Sequence, residues 1–173
     1  MEQVILVDRS NHEIGLMEKQ EAHVKGLLHR AFSVFIFNEK NELLLQQRAF
    51  EKYHSGGLWT NTCCSHPRKN ESILAAAKRR LVEEMGFVAP VSEIFEFIYE
   101  AKLDNGLTEH EYDHVLIGRY NQEPKPNPDE VANWKYIDLT SLKKDMKENR
   151  ENYTVWFLEI FDRVEEHLLK HMV

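Results

Sequence analysis

Between Arg30 and Asn38 the chain reads Arg30-Ala31-Phe32-Ser33-Val34-Phe35-Ile36-Phe37-Asn38, dense in aromatic and branched residues. Successive side chains of a strand face opposite sides of the sheet, so Phe32, Val34 and Ile36 share one face while Phe35 and Phe37 share the other. Apolar side chains on both faces predict a central strand covered on two sides. The rest of the chain must supply those covers.

Punctuation on either side supplies them. Gln3–Val7 and Glu13–Met17 read as short strands joined through the polar turn Asp8–Asn11. Asn38-Glu39-Lys40-Asn41 reads as a hairpin turn into a strand over Glu42–Arg48, and Gly56-Gly57 breaks the chain before Leu58-Trp59. A helix is predicted over Glu71–Met85, with Leu74, Leu81 and Met85 as its apolar row and Gly86 as its stop. Ser92–Lys102 and Thr108–Tyr120 pair as a hairpin around Asp104-Asn105-Gly106, and Val131–Ile137 adds another strand. Pro124, Pro126 and Pro128 mark an extended connection; too little chain follows them to fold alone. Helices are predicted over Leu139–Glu148 and Tyr153–His171, the second carrying Trp156, Phe157, Ile160, Phe161, Val164 and Leu168 on one face. The mixture predicts an α/β or α+β fold with a mixed sheet, in one domain over residues 1–173.

Bulk properties narrow the function. With 42% hydrophobic and 29% charged residues the chain is an ordinary globular protein. No apolar run reaches bilayer length and Met1-Glu2-Gln3 is no signal-peptide start, so neither a membrane nor an export route is expected. Two adjacent cysteines cannot frame disulfides, which points to a reducing, cytoplasmic setting. A formal net charge of −7 disfavours nucleic acid as the main partner. Yet Lys19, Lys25, Arg48, Lys52, Arg68, Lys69, Arg79 and Arg80 all fall in the first half. They are either scattered surface cations or, if several converge, an anion site.

Two segments carry chemistry. Thr60-Asn61-Thr62-Cys63-Cys64-Ser65-His66-Pro67 holds both cysteines and sets a thiol two residues from an imidazole. A thiol beside a metal ligand is a candidate acid, base or nucleophile, because nearby positive charge stabilises thiolate. In Thr108-Glu109-His110-Glu111-Tyr112, strand alternation puts Glu109 and Glu111 on one face and His110 on the other. Same-face carboxylates repel unless a cation or a shared proton compensates them, or unless the face is simply solvated. Together with His23, His29 and His66 they would make an N/O site for manganese, zinc or magnesium.

The predicted helix and its approach read Ser65-x5-Glu71-x7-Arg79-Arg80-Leu81-x-Glu83-Glu84-x-Gly86-Phe87, which resembles the Nudix box G-x5-E-x7-R-E-U-x-E-E-x-G-U. In that family a loop–helix–loop presents carboxylates to a divalent metal that holds a diphosphate. Here serine replaces the first glycine, and Arg80 stands where a Nudix hydrolase has a metal-binding glutamate. An arginine can clamp a diphosphate but cannot hold magnesium, so diphosphate binding without hydrolysis is expected. Gly26-Leu27-Leu28-His29-Arg30-Ala31-Phe32-Ser33, Leu44-Leu45-Gln46-Gln47-Arg48, the Thr60–Pro67 segment and Glu109-His110-Glu111 resemble type I isopentenyl diphosphate isomerases in order and spacing, over roughly residues 3 to 160.

This resemblance implies a Nudix-type α/β/α sandwich that converts isopentenyl diphosphate to dimethylallyl diphosphate. It also implies His23, His29, His66, Glu109 and Glu111 as ligands of one divalent metal, with Cys64 and Glu111 as the catalytic acid/base pair. Glu84 and the Cys64 carbonyl would hold Mg2+ on the substrate; Lys19, Arg48, Lys52 and Arg80 would neutralise its diphosphate. Tyr99 and Trp156 would stand beside the hydrocarbon end, and Cys63 would pack. By its pattern alone Trp156 also suits a core stripe. A small diphosphate is the expected partner, and the protein a monomer or homodimer. The alternatives are a Nudix hydrolase of a nucleoside or isoprenoid diphosphate and a diphosphate-binding relative without turnover.

Overall fold

The computed structural model describes residues 2–171; Met1, Met172 and Val173 of the domain expected over residues 1–173 lie outside the described residues. In chain order the elements are β1 (Gln3–Val7), β2 (Glu13–Glu18), α1 (Lys19–Lys25), β3 (His29–Phe37), β4 (Leu43–Arg48), β5 (Trp59–Thr60), β6 (Cys63–Ser65), α2 (Ile73–Met85), β7 (Val91–Lys102), β8 (Thr108–Arg119), β9 (Val131–Ile137), α3 (Leu139–Glu148) and α4 (Val155–His171). The strands form one mixed sheet. β3 lies at its centre and pairs in parallel with β8 from His29↔Glu111 to Phe37↔Arg119. β8 continues into the antiparallel hairpin with β7, and β6 joins β3 through Phe32↔Ser65, Ser33↔Cys64 and Val34↔Cys63.

The two faces of β3 behave as its alternation requires. Phe32, Val34 and Ile36 pack with Ala76, Ala77, Leu81 and Met85 of α2, while Phe35 and Phe37 pack with Leu142 of α3 and Phe157, Ile160, Phe161 and Val164 of α4. All of these are buried, so the helices are the two covers that the sequence demanded.

Four details differ from expectation. The turn at Asn38–Asn41 forms, but β3 and β4 pair only at Phe37↔Leu43. They then separate because β4 takes β9 and β5 as partners while the edge of β3 takes β6. The helix α1 was not expected; the Glu18 carboxylate caps it by accepting from the backbone N–H groups of Gln20 and Glu21, and Gly26 ends it in the left-handed region at φ +64°. The helix α2 begins at Ile73 instead of Glu71, because Ser72 Oγ accepts from Ala75 N and makes Ser72 the cap. Glu71 is thereby left to clamp Arg79 through two bonds of 2.8 and 2.9 Å. Finally, Leu74 is 52% exposed; the buried row of α2 is Ala77, Leu81 and Met85, with Ala76 beside it.

At the end of α2, Gly86 has φ +73° and its backbone N–H returns to the carbonyls of Leu81 and Val82. A Cβ there would meet the Lys125 carbonyl oxygen at 2.2 Å. Gly86→Ala is therefore expected to destabilise the protein by more than about 1 kcal/mol. Denaturant unfolding should show a lower midpoint at unchanged slope; an unmoved midpoint would mean that the turn tolerates a side chain.

Candidate active site and metal centre

Four segments from three distant parts of the sequence bring histidines and carboxylates to one point. His23 comes from α1, His29 opens β3, His66 follows β6, and Glu109 and Glu111 alternate along β8. The parallel register sets His29 opposite Glu111. Ligand atoms of His23, His29, His66 and Glu109 all lie within 4.8 Å of one another. His23 Nε2 is 2.7 Å from Glu109 Oε1, and His66 Nε2 is 3.0 Å from Glu111 Oε2. His29 Nε2 lies 3.5 Å from Glu109 and 3.4 Å from Glu111. His110, on the opposite face, instead bonds the Gly26 carbonyl at 3.1 Å.

The donor set fits a divalent cation. His29 Nδ1 donates to the Leu27 carbonyl at 2.9 Å, which leaves Nε2 facing the cluster, buried and without a hydrogen-bond partner among the described residues. Burial opposes a charge on His29, but the two glutamates outweigh it and lift its pKa to about 10. Burial likewise opposes the charge on Glu109, yet the His23 bond and the neighbouring His29 imidazole hold that carboxyl well below the usual range. Glu111 also accepts from the Tyr99 hydroxyl. A divalent cation held by these groups would balance the adjacent carboxylates and take the place of the imidazole proton.

A cavity of about 140 Å³ opens over this cluster. Lys19, Arg48, Lys52 and Arg80 all line it, so four of the eight cations do converge. Lys25 instead pairs outward with Glu21 at 2.6 Å. Lys19 meets Glu2 at 2.8 Å, Lys52 pairs with Glu130, and Arg80 contacts Glu83, Glu84 and Glu130 at 2.6, 3.0 and 3.4 Å. Glu84 lines the same cavity apart from the histidine cluster, held by Gln46 Nε2 at 3.1 Å and by the Cys63 thiol at 3.2 Å. Arg48 stacks over Trp156, 5.0 Å from the ring centroid.

Cys64 faces the cavity, whereas Cys63 is fully buried. Burial first, and then the Asp113 charge, push the Cys64 pKa up. The Cys64 sulfur bonds Asn61 Oδ1 at 3.0 Å. Trp156 belongs to both expectations, since it is 3% exposed within the core yet lines the cavity. Tyr99 does not line the cavity; it reaches the site through Glu111.

Several lining residues were not anticipated. Tyr53 bonds His23 Nδ1 at 2.8 Å and so orients that ring. His54 packs edge-on to Trp156 with ring centroids 5.7 Å apart, and burial together with the Arg48 charge pushes its pKa down to about 3. The available signal was a Tyr-His pair directly after Lys52 and before Gly56-Gly57. Glu2 and Glu130, the counter-charges of the basic wall, carried no local signal.

A mixed sheet between helical layers, with a carboxylate-bearing helix beside a basic cavity, defines a class before it defines a member. The family model for the NUDIX domain matches residues 27–157. A MutT protein from Methanosarcina mazei Go1 has a similar fold, with TM-score 0.65 and 19% identity over 80% of this chain and 94% of that one. Among curated relatives, isopentenyl-diphosphate Delta-isomerase 2 of Aromatoleum aromaticum is 50% identical over 94% of this chain and 86% of its own. The isopentenyl-diphosphate Delta-isomerase of Serratia proteamaculans is 51% identical over 92% of this chain and 89% of its own. This chain belongs to the type I isopentenyl-diphosphate Delta-isomerase family within the NUDIX fold.

His66→Ala and Glu109→Gln are each expected to strip divalent metal from protein purified out of metal-supplemented medium. His110→Ala, one residue away on the other face, should keep it. Elemental analysis of the three variants decides the point; equal metal loss in His110→Ala would place the centre elsewhere.

Proposed function

We propose that this chain interconverts isopentenyl diphosphate and dimethylallyl diphosphate, adding a proton at C4 and removing one from C2. The observation that carries the reading is the presence of Cys64, Glu111, the histidine cluster and four cations around one cavity. An isolated alkene is a very weak base, so protonation passes through a tertiary carbocation or close to it. Such a path needs a donor against the double bond, a base for the second proton and walls that exclude water.

The chain has groups suited to each task. Cys64 is the proton donor or acceptor on one side of the substrate, presenting a thiol without introducing water. Glu111, hydrogen-bonded by Tyr99 and contacted by His29 and His66, is its counterpart, and its negative charge balances the cation. Trp156 is the π-wall; the Arg48 guanidinium already stacked on it marks that ring as a face suited to positive charge. Lys19, Arg48, Lys52 and Arg80 take the diphosphate, whose oxygens replace the carboxylates of Glu2 and Glu130 as counter-charges.

Two cation sites belong to this reading. His23, His29, His66, Glu109 and Glu111 would hold a manganese, zinc or magnesium ion, and Glu84 with the Cys64 carbonyl would hold Mg2+ brought in with the diphosphate; the first would supply fixed positive charge beside Glu111 and the second would neutralise the diphosphate. One NUDIX-type domain carries both sites. Among the described residues no helix is long and apolar enough to cross a membrane.

Incubation with isopentenyl diphosphate and magnesium in D2O, followed by NMR, is expected to place deuterium in dimethylallyl diphosphate without release of phosphate. Cys64→Ala should abolish this exchange while diphosphate binding survives, whereas Cys63→Ala should retain most turnover. Equal loss in both variants would make the cysteine pair structural.

Arg80→Glu should weaken substrate affinity without creating a hydrolase, because it sets a negative charge beside Glu83, Glu84 and the diphosphate. Glu84→Gln should lose magnesium-dependent affinity while the histidine site keeps its metal. Substrate titrations with and without magnesium, alongside a phosphate-release assay, check both outcomes. Robust hydrolysis by Arg80→Glu would overturn the assignment of Arg80.

A further inference from the structure

Around Cys64 the described hydrogen bonds offer acceptors and no donor. Its thiol reaches Asn61 Oδ1 at 3.0 Å and Ser33 Oγ at 3.6 Å, and the Ser33 hydroxyl proton is committed to Asp113 Oδ2 at 2.8 Å. Asn61 is fully buried. Its amide is anchored on the other side by the carbonyls of Val34 and Cys63, at 3.0 and 3.1 Å. Carbonyls can only accept, so the NH2 group must face them and Oδ1 must face the thiol.

The bonds behind Asn61 all run in one direction. Thr60 Oγ1 donates to Asn61 Oδ1 at 2.9 Å, Thr154 Oγ1 donates to Thr60 Oγ1 at 3.0 Å, and the backbone N–H of Phe157 donates to Thr154 Oγ1 at 3.3 Å. Thr60 and Thr154 are buried as well, at 2% and 0% exposure. The chain thus runs from the first turn of α4, which carries Trp156, to the sulfur of Cys64.

We propose that Asn61 is a positioning residue for the isomerisation, its Oδ1 holding the Cys64 sulfur in one orientation through a hydrogen-bond chain that Thr60 and Thr154 tie to the start of α4. The proposal rests on the reading of Cys64 as a catalytic acid/base. The bond to Oδ1 fixes the rotor of the Cys64 side chain. Fixing that rotor holds the sulfur in the geometry the alkene must meet. The NH2 bonds of Asn61 shape the turn between β5 and β6; the Oδ1 bonds bear on the thiol.

The test combines kinetics with infrared spectroscopy in Asn61→Ala, Thr60→Val and Cys64→Ala. The S–H stretching band of Cys64 is assigned by its loss in Cys64→Ala. Asn61→Ala should move that band to the frequency of a free thiol and lower kcat by about a hundredfold, with KM near the wild-type value. Thr60→Val removes the competing donor on Oδ1, so the band should shift further to low frequency, with a smaller loss of kcat and an unchanged circular dichroism spectrum. If Asn61→Ala does not fold, Thr60→Val alone decides. A Cys64 band that does not move, or a kcat retained in the folded variants while Cys64→Ala is inactive, overturns the proposal and leaves the acid/base assignment standing. Full turnover by Cys64→Ala would instead remove that assignment, and the role of Asn61 with it.

Discussion

The parallel pairing of β3 with β8 is the constraint on which the rest depends. It joins segments some eighty residues apart in sequence, from His29↔Glu111 to Phe37↔Arg119. One consequence is mechanical: β3 is held on both edges, so its two apolar faces can be covered by α2 on one side and by α3 and α4 on the other. The second consequence is chemical. The same register lines up Glu109, Glu111 and Asp113 as a buried acidic row of β8 and sets His29 against its middle.

Three buried carboxyls along one strand are costly unless each finds its own compensation. Glu109 has His23 and His29, and Glu111 has His66, His29 and the Tyr99 hydroxyl. Asp113 is treated differently: burial and the Glu111 charge push its pKa well above the usual range, and only Ser33 donates to it. The two ends of the row, Glu109 and Asp113, are thus pushed in opposite directions. On the other side of the cavity the charge is reversed. A protein of net charge −7 gathers Lys19, Arg48, Lys52 and Arg80 into one wall, three of them held by Glu2 or Glu130. An anionic ligand entering there exchanges one set of counter-charges for another, and so loses less to desolvation than it would at a bare apolar surface.

Much of this was legible from residues alone. The bounds of β9 and α3 coincide with those read from periodicity, and those of β1, β7, β8 and α4 agree to within two residues. Alternation correctly put Glu109 and Glu111 on one face and His110 on the other. What escaped was local in origin or remote in cause. The helix α1 has only seven residues, too few for a period to appear, and it depends on Glu18 and Gly26 as caps. The apolar row of α2 does not mark its first residue, and the capping Ser72 sets the start at Ile73 instead of Glu71. The hairpin at Asn38–Asn41 was read as two paired strands, since a turn motif reveals that the chain reverses and not which neighbours the strands then choose.

The sequence by itself determined the layered class, through a strand that could not be stable with either face wet. It also determined the chemistry available, through two adjacent cysteines, a pair of same-face glutamates and an arginine where a Nudix hydrolase has a carboxylate. Family likeness grouped these residues, but spacing could not, because metal-ligand distances are set across strands and helices rather than along them. Tertiary structure decided the rest. It chose which four of eight cations share a cavity, which carboxylates balance them, and that Tyr53 and His54 line that cavity while Asn61 bonds Cys64. Side-chain alternation and helical period are properties of a few consecutive bonds, so they can be read from the chain. Convergence of charges, and the hydrogen bonds that hold Cys64, arise only when β3 meets β8 and α4 closes over them.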